Sequence, residues 1–295
     1  MKYVVMFSGG KDSHASLLLA IEKYGVENVI ALYCDTNWEH DKTYIHIADV
    51  VEKLGVEFIK VKSKKYDGML DLAIKKKRFP STKARFCTEE LKSKPAIDWV
   101  LDQEMHLVII QGIRKDESLS RSKMNEACRY FKFYFEPYGV DKNGKPKYHT
   151  YRKKEVLEWC KKYDDTVLRL VFNWTGQEVI DYIISKGHLP NPLYYMGMKR
   201  VGCYPCVMAN QSEIKQMVEF TPEYIDRLNE AEIKADSSYF PPNYIPVRFC
   251  SMTADNGKKY PSAMDVVNYV MREATLDMFE LETDKSCMSF YGICE

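Results

Sequence analysis

The chain has 295 residues, 45% of them apolar, which is enough for one large α/β domain with an appendage and a substantial core, and nothing in the composition suggests disorder. Lys and Arg number 43 against 42 Asp and Glu, so the formal charge of +1 gives no global basic field, and no stretch approaches the ~18 apolar residues of a membrane helix. With no charged-then-apolar leader ahead of its first strand a cytoplasmic protein is expected, and there nine cysteines favour metal binding or catalysis over a disulfide framework.

Tyr3–Phe7 is an apolar run that reads as a strand, followed by Ser8-Gly9-Gly10-Lys11-Asp12-Ser13 and by the periodic apolar stretch Ala15–Ile21 of a helix. A glycine turn between a strand and a helix lets backbone N–H groups approach an anion, the first helical turn adds unpaired donors, and Lys11 adds a full charge. Val29–Cys34, ending at Asp35-Thr36, and the amphipathic stretch Thr43–Leu54 form a second βα unit. Val56–Val61 is a third strand, Lys94–Asp102 a helix, and Leu107–Ile110 a buried strand before Gln111-Gly112. Strands alternating with helices predict a doubly wound, mostly parallel sheet, with ligands at the strands' carboxyl ends. The Ser8–Ser13 loop, Asp35 and Gly112–Arg114 all fall at such ends. Beyond Arg121 the texture changes to crowded aromatics at Tyr130–Tyr138, a turn-rich stretch at Asp141–Pro146, and a capped helix at Thr175–Lys186. Residues 1–122 are therefore expected to form the nucleotide-binding α/β domain, and 123–295 a helical and irregular region carrying a cysteine site. Local basic runs at Lys60–Lys65, Lys75–Arg78 and Arg152–Lys154 read as solvated faces before they read as nucleic-acid contacts.

The loop does not follow Gly-x-x-x-x-Gly-Lys-Ser/Thr and instead resembles the signature of the PP-loop superfamily, the ATP pyrophosphatases. Arg85-Phe86-Cys87-Thr88-Glu89-Glu90-Leu91-Lys92, Pro95, and Gly112-Ile113-Arg114-Lys115-Asp116-Glu117-Ser118 with Arg121 extend the likeness to the phosphoadenosine-phosphosulfate reductase-like family of that superfamily, over roughly residues 1–210. The resemblance implies an adenine nucleotide alpha hydrolase-like fold. It also implies an adenine-nucleotide site at Ser8, Gly9, Gly10, Lys11, Asp12, Ser13, Asp35 and Gly112, and an oxyanion pocket at Arg114 and Arg121. Guanidinium forks suit phosphate or sulfate, Lys11 suits a leaving pyrophosphate, and Asp12 or Asp35 suits Mg2+. The alternatives are caps for the two Asp residues, and ion pairs with Asp116 or Glu117 for the two Arg residues.

Cys203-Tyr204-Pro205-Cys206 places two thiols on a Gly/Pro turn, half of a four-cysteine site, for which Cys287 and Cys294 are the first-choice completion, Cys250 a reserve, and Cys87 a substrate-side thiol. The site is expected to hold Zn2+ or a four-iron four-sulfur cluster, with free thiols or a redox dithiol as the alternative. Cys34, Cys128 and Cys160 read as core, and the six His residues show no metal spacing. Asn191-Pro192-Leu193-Tyr194-Tyr195 supplies aromatics for a base or for a lid. Together these lead to an enzyme that binds Mg-ATP, splits it to AMP and pyrophosphate, and adenylates an acceptor. If the cysteines hold a cluster, the acceptor is expected to be a nucleic-acid group activated for sulfur transfer, with a sulfur-donor protein as a further partner. The tail lacks the Glu-Cys-Gly order of the true reductases. A phosphoadenylyl-sulfate or adenylyl-sulfate reductase using Cys87 or Cys294 is therefore the first rival. A nucleotide-binding subunit of a sulfate adenylyltransferase-like complex is the second.

Overall fold

A computed structural model describes residues 1–254 and 257–273 of the chain. Its centre is a six-stranded sheet built from β1 (Lys2–Met6), β2 (Val29–Cys34), β3 (Glu57–Val61), β4 (Leu107–Ile110), β5 (Ala127–Arg129) and β6 (Asp165–Leu168), in the order β3-β2-β1-β4-β6-β5. All neighbours are parallel except β5, which runs antiparallel to β6 at the edge. The period of two along each strand divides the apolar runs between two faces. Val4, Met6, Ile30, Leu32, Leu107 and Ile109 enter one core with α4 (Lys94–Leu101) and α5 (Lys153–Lys162). Val5, Phe7, Ala31, Tyr33, Val108 and Ile110 enter the other, against α1 (Lys11–Tyr24) and α2 (Asp41–Leu54). The α/β, doubly wound, mostly parallel architecture expected from the sequence is the observed one.

The sheet does not close at residue 122. β5 and β6 belong to the stretch expected to be helical and irregular, and the antiparallel edge is therefore drawn from it. The four residues Asp-Thr-Val-Leu of β6 lack an apolar run because only Asp165 and Val167 are buried, the Asp through bonds to the N–H of Phe131 at 2.8 Å and to Arg129 at 3.0 Å. α6 (Gly176–Ser185) begins at Thr175 with the foreseen capping box to Glu178 and packs on α1 through Val179 and Ile183.

A further layer of α3 (Met69–Lys76), α7 (Gln211–Phe220), α8 (Glu223–Ala235) and α9 (Ala263–Glu273) has its own core, including Trp38, Leu72, Ile214, Leu228 and Val266. This layer covers the carboxyl end of β2. The order of strands reverses between β1 and β4, and the crevice at such a switch is where a doubly wound sheet receives a ligand.

Candidate active site

The Ser8–Ser13 loop leaves β1 at this crevice. Gly9 has φ +80°, a conformation that favours glycine, and a side chain there would meet Ile47 at 2.9 Å. Ser13 Oγ donates to the Gly10 carbonyl at 2.9 Å and accepts from Ser8 N–H at 3.2 Å, closing the turn. Gly112, past the end of β4, presses on the first turn of α1 so closely that a Cβ would lie 2.6 Å from Ser13 N. Asn191 is fully buried and donates to the Gly9 carbonyl at 3.3 Å, while Lys11 N–H donates to the Tyr194 hydroxyl at 3.0 Å. The Asn191–Tyr194 segment thus closes over the loop, and Lys11 Nζ lies 5.2 Å from the centre of the Tyr194 ring.

Asp12 is fully buried, with one oxygen 2.6 Å from Arg114 Nε and the other 3.1 Å from Lys11 Nζ. Arg114 also pairs with Asp116, and Arg121, buried completely, pairs with Glu117. Burial works against the Arg114 charge, but Asp12, Glu117 and Asp116 outweigh it and raise the guanidinium above its ordinary value. These arginines are therefore engaged by carboxylates inside the protein, deeper than the surface ion pairs weighed from the sequence. Arg114 is the group that positions Asp12.

Asp35, at the end of β2, receives Lys60 at 2.8 Å, Lys62 at 3.3 Å, the N–H of Asn37 at 2.9 Å and the Tyr44 hydroxyl at 2.9 Å. Burial alone would raise its carboxyl; Lys60, Asn37 and Tyr44 together hold it below the usual carboxylate range. Neither Asp12 nor Asp35 presents magnesium with a carboxylate oxygen free of these partners. Mg2+ would enter on the phosphate oxygens of a nucleotide, its usual ligands besides water.

Tyr44 OH is also 2.9 Å from Glu39, whose other oxygen accepts from Thr36 Oγ1 at 2.6 Å. Cys203 Sγ lies 3.4 Å from Thr36 Oγ1, and its backbone bridges Glu39. A chain of polar contacts therefore links the nucleotide side of β2 to the Cys203-Tyr204-Pro205-Cys206 turn, in which the Tyr204–Pro205 bond is cis. Trp38 Nε1 and the Tyr239 hydroxyl both donate to the Pro205 carbonyl, at 3.1 and 2.6 Å.

A cavity of about 780 Å3, counting space open to solvent, is lined by Ser8 and Thr36 and by Cys87, Cys203 and Cys206. Arg85, Lys92 and Arg200 also line it. Lys92 is buried and sits on a π-helical turn, Glu89–Ser93, a distortion that recurs at functional sites. The sequence motifs contained these three cations without a role for them, because nothing local shows that residues 85, 92 and 200 converge. Cys87 joins the Cys203–Cys206 pair in one cavity. Cys34, Cys128 and Cys160 lie in or against the sheet core. Cys250 is buried with the outer helices. Cys287 and Cys294 lie outside the described residues. Among the described residues no group of three or more His, Cys, Asp or Glu is arranged to hold a metal ion, so the Zn2+ or cluster site expected at Cys203 and Cys206 is represented by those two thiols alone. No described helix is long and apolar enough to cross a membrane.

The sequence profile of the phosphoadenosine phosphosulfate reductase domain matches residues 2–209, which include the loop, Asp35, the arginine motif and the cysteine pair. The chain belongs to this family. It is a family of PP-loop enzymes. A 37.8 kDa protein encoded in the gpa 5' region of Escherichia phage 186 is 27% identical over an alignment covering 99% of this chain and 96% of that one. Two Methanocaldococcus jannaschii proteins are 24% and 25% identical over 75% of this chain, which spans about two-fifths of their length, 39% and 45%. Among solved structures, phosphoadenylyl-sulfate reductase from Candida auris in a phosphate complex aligns with 70% of this chain and 81% of its own, at 16% identity and a TM-score of 0.45. The U34-tRNA thiolase NcsA from Methanococcus maripaludis, with its [4Fe-4S] cluster, aligns with 100% of this chain and 83% of its own, at 16% identity and a TM-score of 0.39.

Proposed function

We propose that this chain binds ATP at Ser8–Ser13 and Gly112 and transfers the adenylyl group to an acceptor held in the adjoining cavity. The observation that carries the reading is that one cavity is lined both by Ser8 of the loop and by the three thiols, so that nucleotide and acceptor would share it. A nucleophilic oxygen of the acceptor attacks the α-phosphorus, the bond from that phosphorus to the bridging oxygen breaks, and pyrophosphate leaves. The backbone donors of the glycine turn hold the phosphates, and Lys11, on its way from Asp12 to the leaving group, stabilises the charge that builds there. Arg114 keeps Asp12 fixed and thereby the first turn of α1. Mg2+ bound to the phosphates would add charge neutralisation.

Cys203 and Cys206 fit two corners of a thiolate site for Zn2+ or a four-iron four-sulfur cluster, and Cys287 and Cys294 are the candidates for the others. Metal content and the visible spectrum of protein purified without oxygen separate these: about four irons with a broad absorption band supports a cluster and sulfur transfer, about one zinc without colour a structural staple. Adenylation is tested by pyrophosphate release from ATP. Lys11→Ala is expected to lower it by about 10²-fold or more, and unchanged turnover would remove the role given to Lys11.

The location of Cys87 in the cavity with Arg85, Lys92 and Arg200 favours one second reading, a phosphoadenylyl-sulfate reductase. A thiolate attacks the sulfur of the sulfonucleotide held by the cations, the S–O bond to the nucleotide phosphate breaks and the nucleotide leaves. A second thiol then attacks the resulting S-sulfocysteine, forming a disulfide and releasing sulfite. Thiol-dependent sulfite release from the sulfonucleotide, without pyrophosphate release from ATP, selects it.

A further inference from the structure

Between Lys60 and Lys94 the chain carries twelve Lys and Arg against four Asp and Glu, within a molecule whose totals are 43 and 42, so the rest of the chain is net acidic. Nine of these twelve cations are exposed. At one end of the segment Lys60 and Lys62 reach Asp35 in the nucleotide crevice. Lys75 Nζ, in the last turn of α3, donates to the Lys65 carbonyl at 3.2 Å and joins the strand-end loop to the helix. Lys76, Lys77, Arg78 and Lys83 follow, all exposed and none with an acidic partner among the described residues. The Arg78 guanidinium lies 5.3 Å from the centre of the Phe86 ring, between Arg85 and Cys87 of the cavity lining. Inside the cavity the positive charge continues through Arg85 and buried Lys92 to Arg200, whose buried Nη1 has no hydrogen-bond partner among the described residues and whose Nε is 3.9 Å from Glu213.

Like charges crowded on a helix C-terminus repel one another, and in water they are worth only tenths of a kcal/mol to the helix through its dipole. Stability therefore does not account for a strip that leads into a cavity. α3 alone is about 12 Å long, so the strip spans several backbone phosphates, more than a single nucleotide offers. A guanidinium beside an aromatic ring, which accepts none of its N–H bonds in the ring plane, keeps donors available for a phosphate. We propose that the strip Lys60–Arg85 is a binding surface for a single-stranded nucleic acid, whose phosphates it tracks and one unit of which it delivers to the cavity. Delivery of that unit as the adenylation acceptor rests on the function proposed above; binding by the strip does not.

The test is fluorescence anisotropy of labelled mixed-sequence oligonucleotides titrated with the full-length protein over a range of salt concentrations. The variant is K76Q/K77Q/R78Q/K83Q, and K142Q/K145Q/K147Q/K154Q removes the same charge from exposed positions elsewhere. Each phosphate contact on a single strand contributes about −0.7 to the slope of log K against log salt. The strip variant is therefore expected to flatten the slope by about three and to weaken low-salt binding by about tenfold or more, while the second variant stays near wild type. DNA and RNA strands are compared, and tighter binding of either over its duplex supports the assignment. No binding by wild type, equal losses in the two variants, or equally tight and salt-sensitive binding of poly-glutamate would each overturn it, the last in favour of an acidic protein partner. ATP binding and pyrophosphate release are measured on the same samples. Wild type that fails to bind the oligonucleotide while its ATP chemistry is intact refutes the strip alone, and wild type that binds the oligonucleotide without ATP chemistry refutes adenylation alone.

Discussion

Gly112→Ala addresses the closest backbone approach in the proposed nucleotide site. The new methyl would stand 2.6 Å from Ser13 N, 2.7 Å from the Asp12 carbonyl carbon and 2.8 Å from Ser13 Cα, where ordinary contact begins at 3.4 Å. None of these atoms is the movable end of a side chain, so the end of β4 and the first turn of α1 must separate by about 0.8 Å. Overpacking of this kind costs about 1–3 kcal/mol, or a fall in melting temperature of about 2–10 °C for a chain near this size. The functional loss should exceed the stability loss. The shift moves the N–H donors of the loop relative to a phosphate, and misplacement by about 1 Å can cost 10²-fold in rate. Gly55→Ala is the control, since Gly55 has φ +60° at the end of α2 with nothing within 4 Å of a Cβ. It should cost about 1–2 kcal/mol through the left-handed backbone alone and leave ATP affinity unchanged. Calorimetric ATP titration, pyrophosphate release and thermal melts on both variants decide the matter. If Gly112→Ala binds and turns over ATP as well as Gly55→Ala does, the contact between β4 and the loop does not shape the nucleotide site, and the reasoning fails.

Asp12→Asn leaves Arg114 buried with its strongest partner neutralised. With Asp116 and Glu117 still facing the guanidinium, a loss of about 1.5–3 kcal/mol is expected in denaturant titration, against less than about 1 kcal/mol for the exposed pair Lys75–Asp71. Cys203→Ser and Cys206→Ser should each reduce bound zinc or iron by more than half if these thiols are ligands, as read by elemental analysis; unchanged metal would assign it elsewhere. Burial lowers the His14 imidazole to about 3, with His46, His188 and Lys53 adding to the effect, and lowers the His46 imidazole to about 4 against the opposing charge of Asp49. The unfolded chain then binds more protons below pH about 6.5, so the stability these residues contribute is fully present above that pH and lost as pH falls toward 4, by up to about 1.4 kcal/mol per pH unit for each histidine. Glu232 is pushed up to about 7 by burial and acts in the opposite sense, destabilising as pH rises from about 4.5 to 7. Glu232→Gln should therefore steepen the loss of stability on acidification, and a slope unchanged from wild type would refute the assignment.

The strands were legible where both faces are buried. β2 and β4 are uninterrupted apolar runs, and β1 is one after Lys2, because each lies between two cores, and the turn residues after them point to the carboxyl edge. β5 and β6 were not legible. They are three and four residues long, half exposed, and β6 starts with an Asp whose burial depends on Arg129 and the Phe131 backbone, 36 and 34 positions away in sequence. Local pattern cannot reveal a strand whose polar residue is satisfied by a distant segment.

The site shows the same division at higher stakes. Ser8–Ser13 and Gly112 are visible because loop geometry demands particular residue types, a glycine at φ +80° and another without room for a methyl. Arg114 and Arg121 are visible as arginines only. Each has an acid two or four positions away, and whether a guanidinium holds that acid or a substrate anion depends on which group reaches it in space. Asp12, adjacent to Lys11 in sequence, turns out to be joined to Arg114 across 102 residues. The cavity is less visible still, since it needs positions 8, 85–92 and 200–206 to meet. What brings them together is the outer helical layer, whose core seats Trp38 against Tyr239, with both side chains donating to the Pro205 carbonyl between the two cysteines. The cysteine turn is thus held by residues that carry no chemistry. Weakening that support, as in Tyr239→Phe, should disturb cysteine-dependent activity while the nucleotide loop, built on β1 and β4, keeps its affinity for ATP.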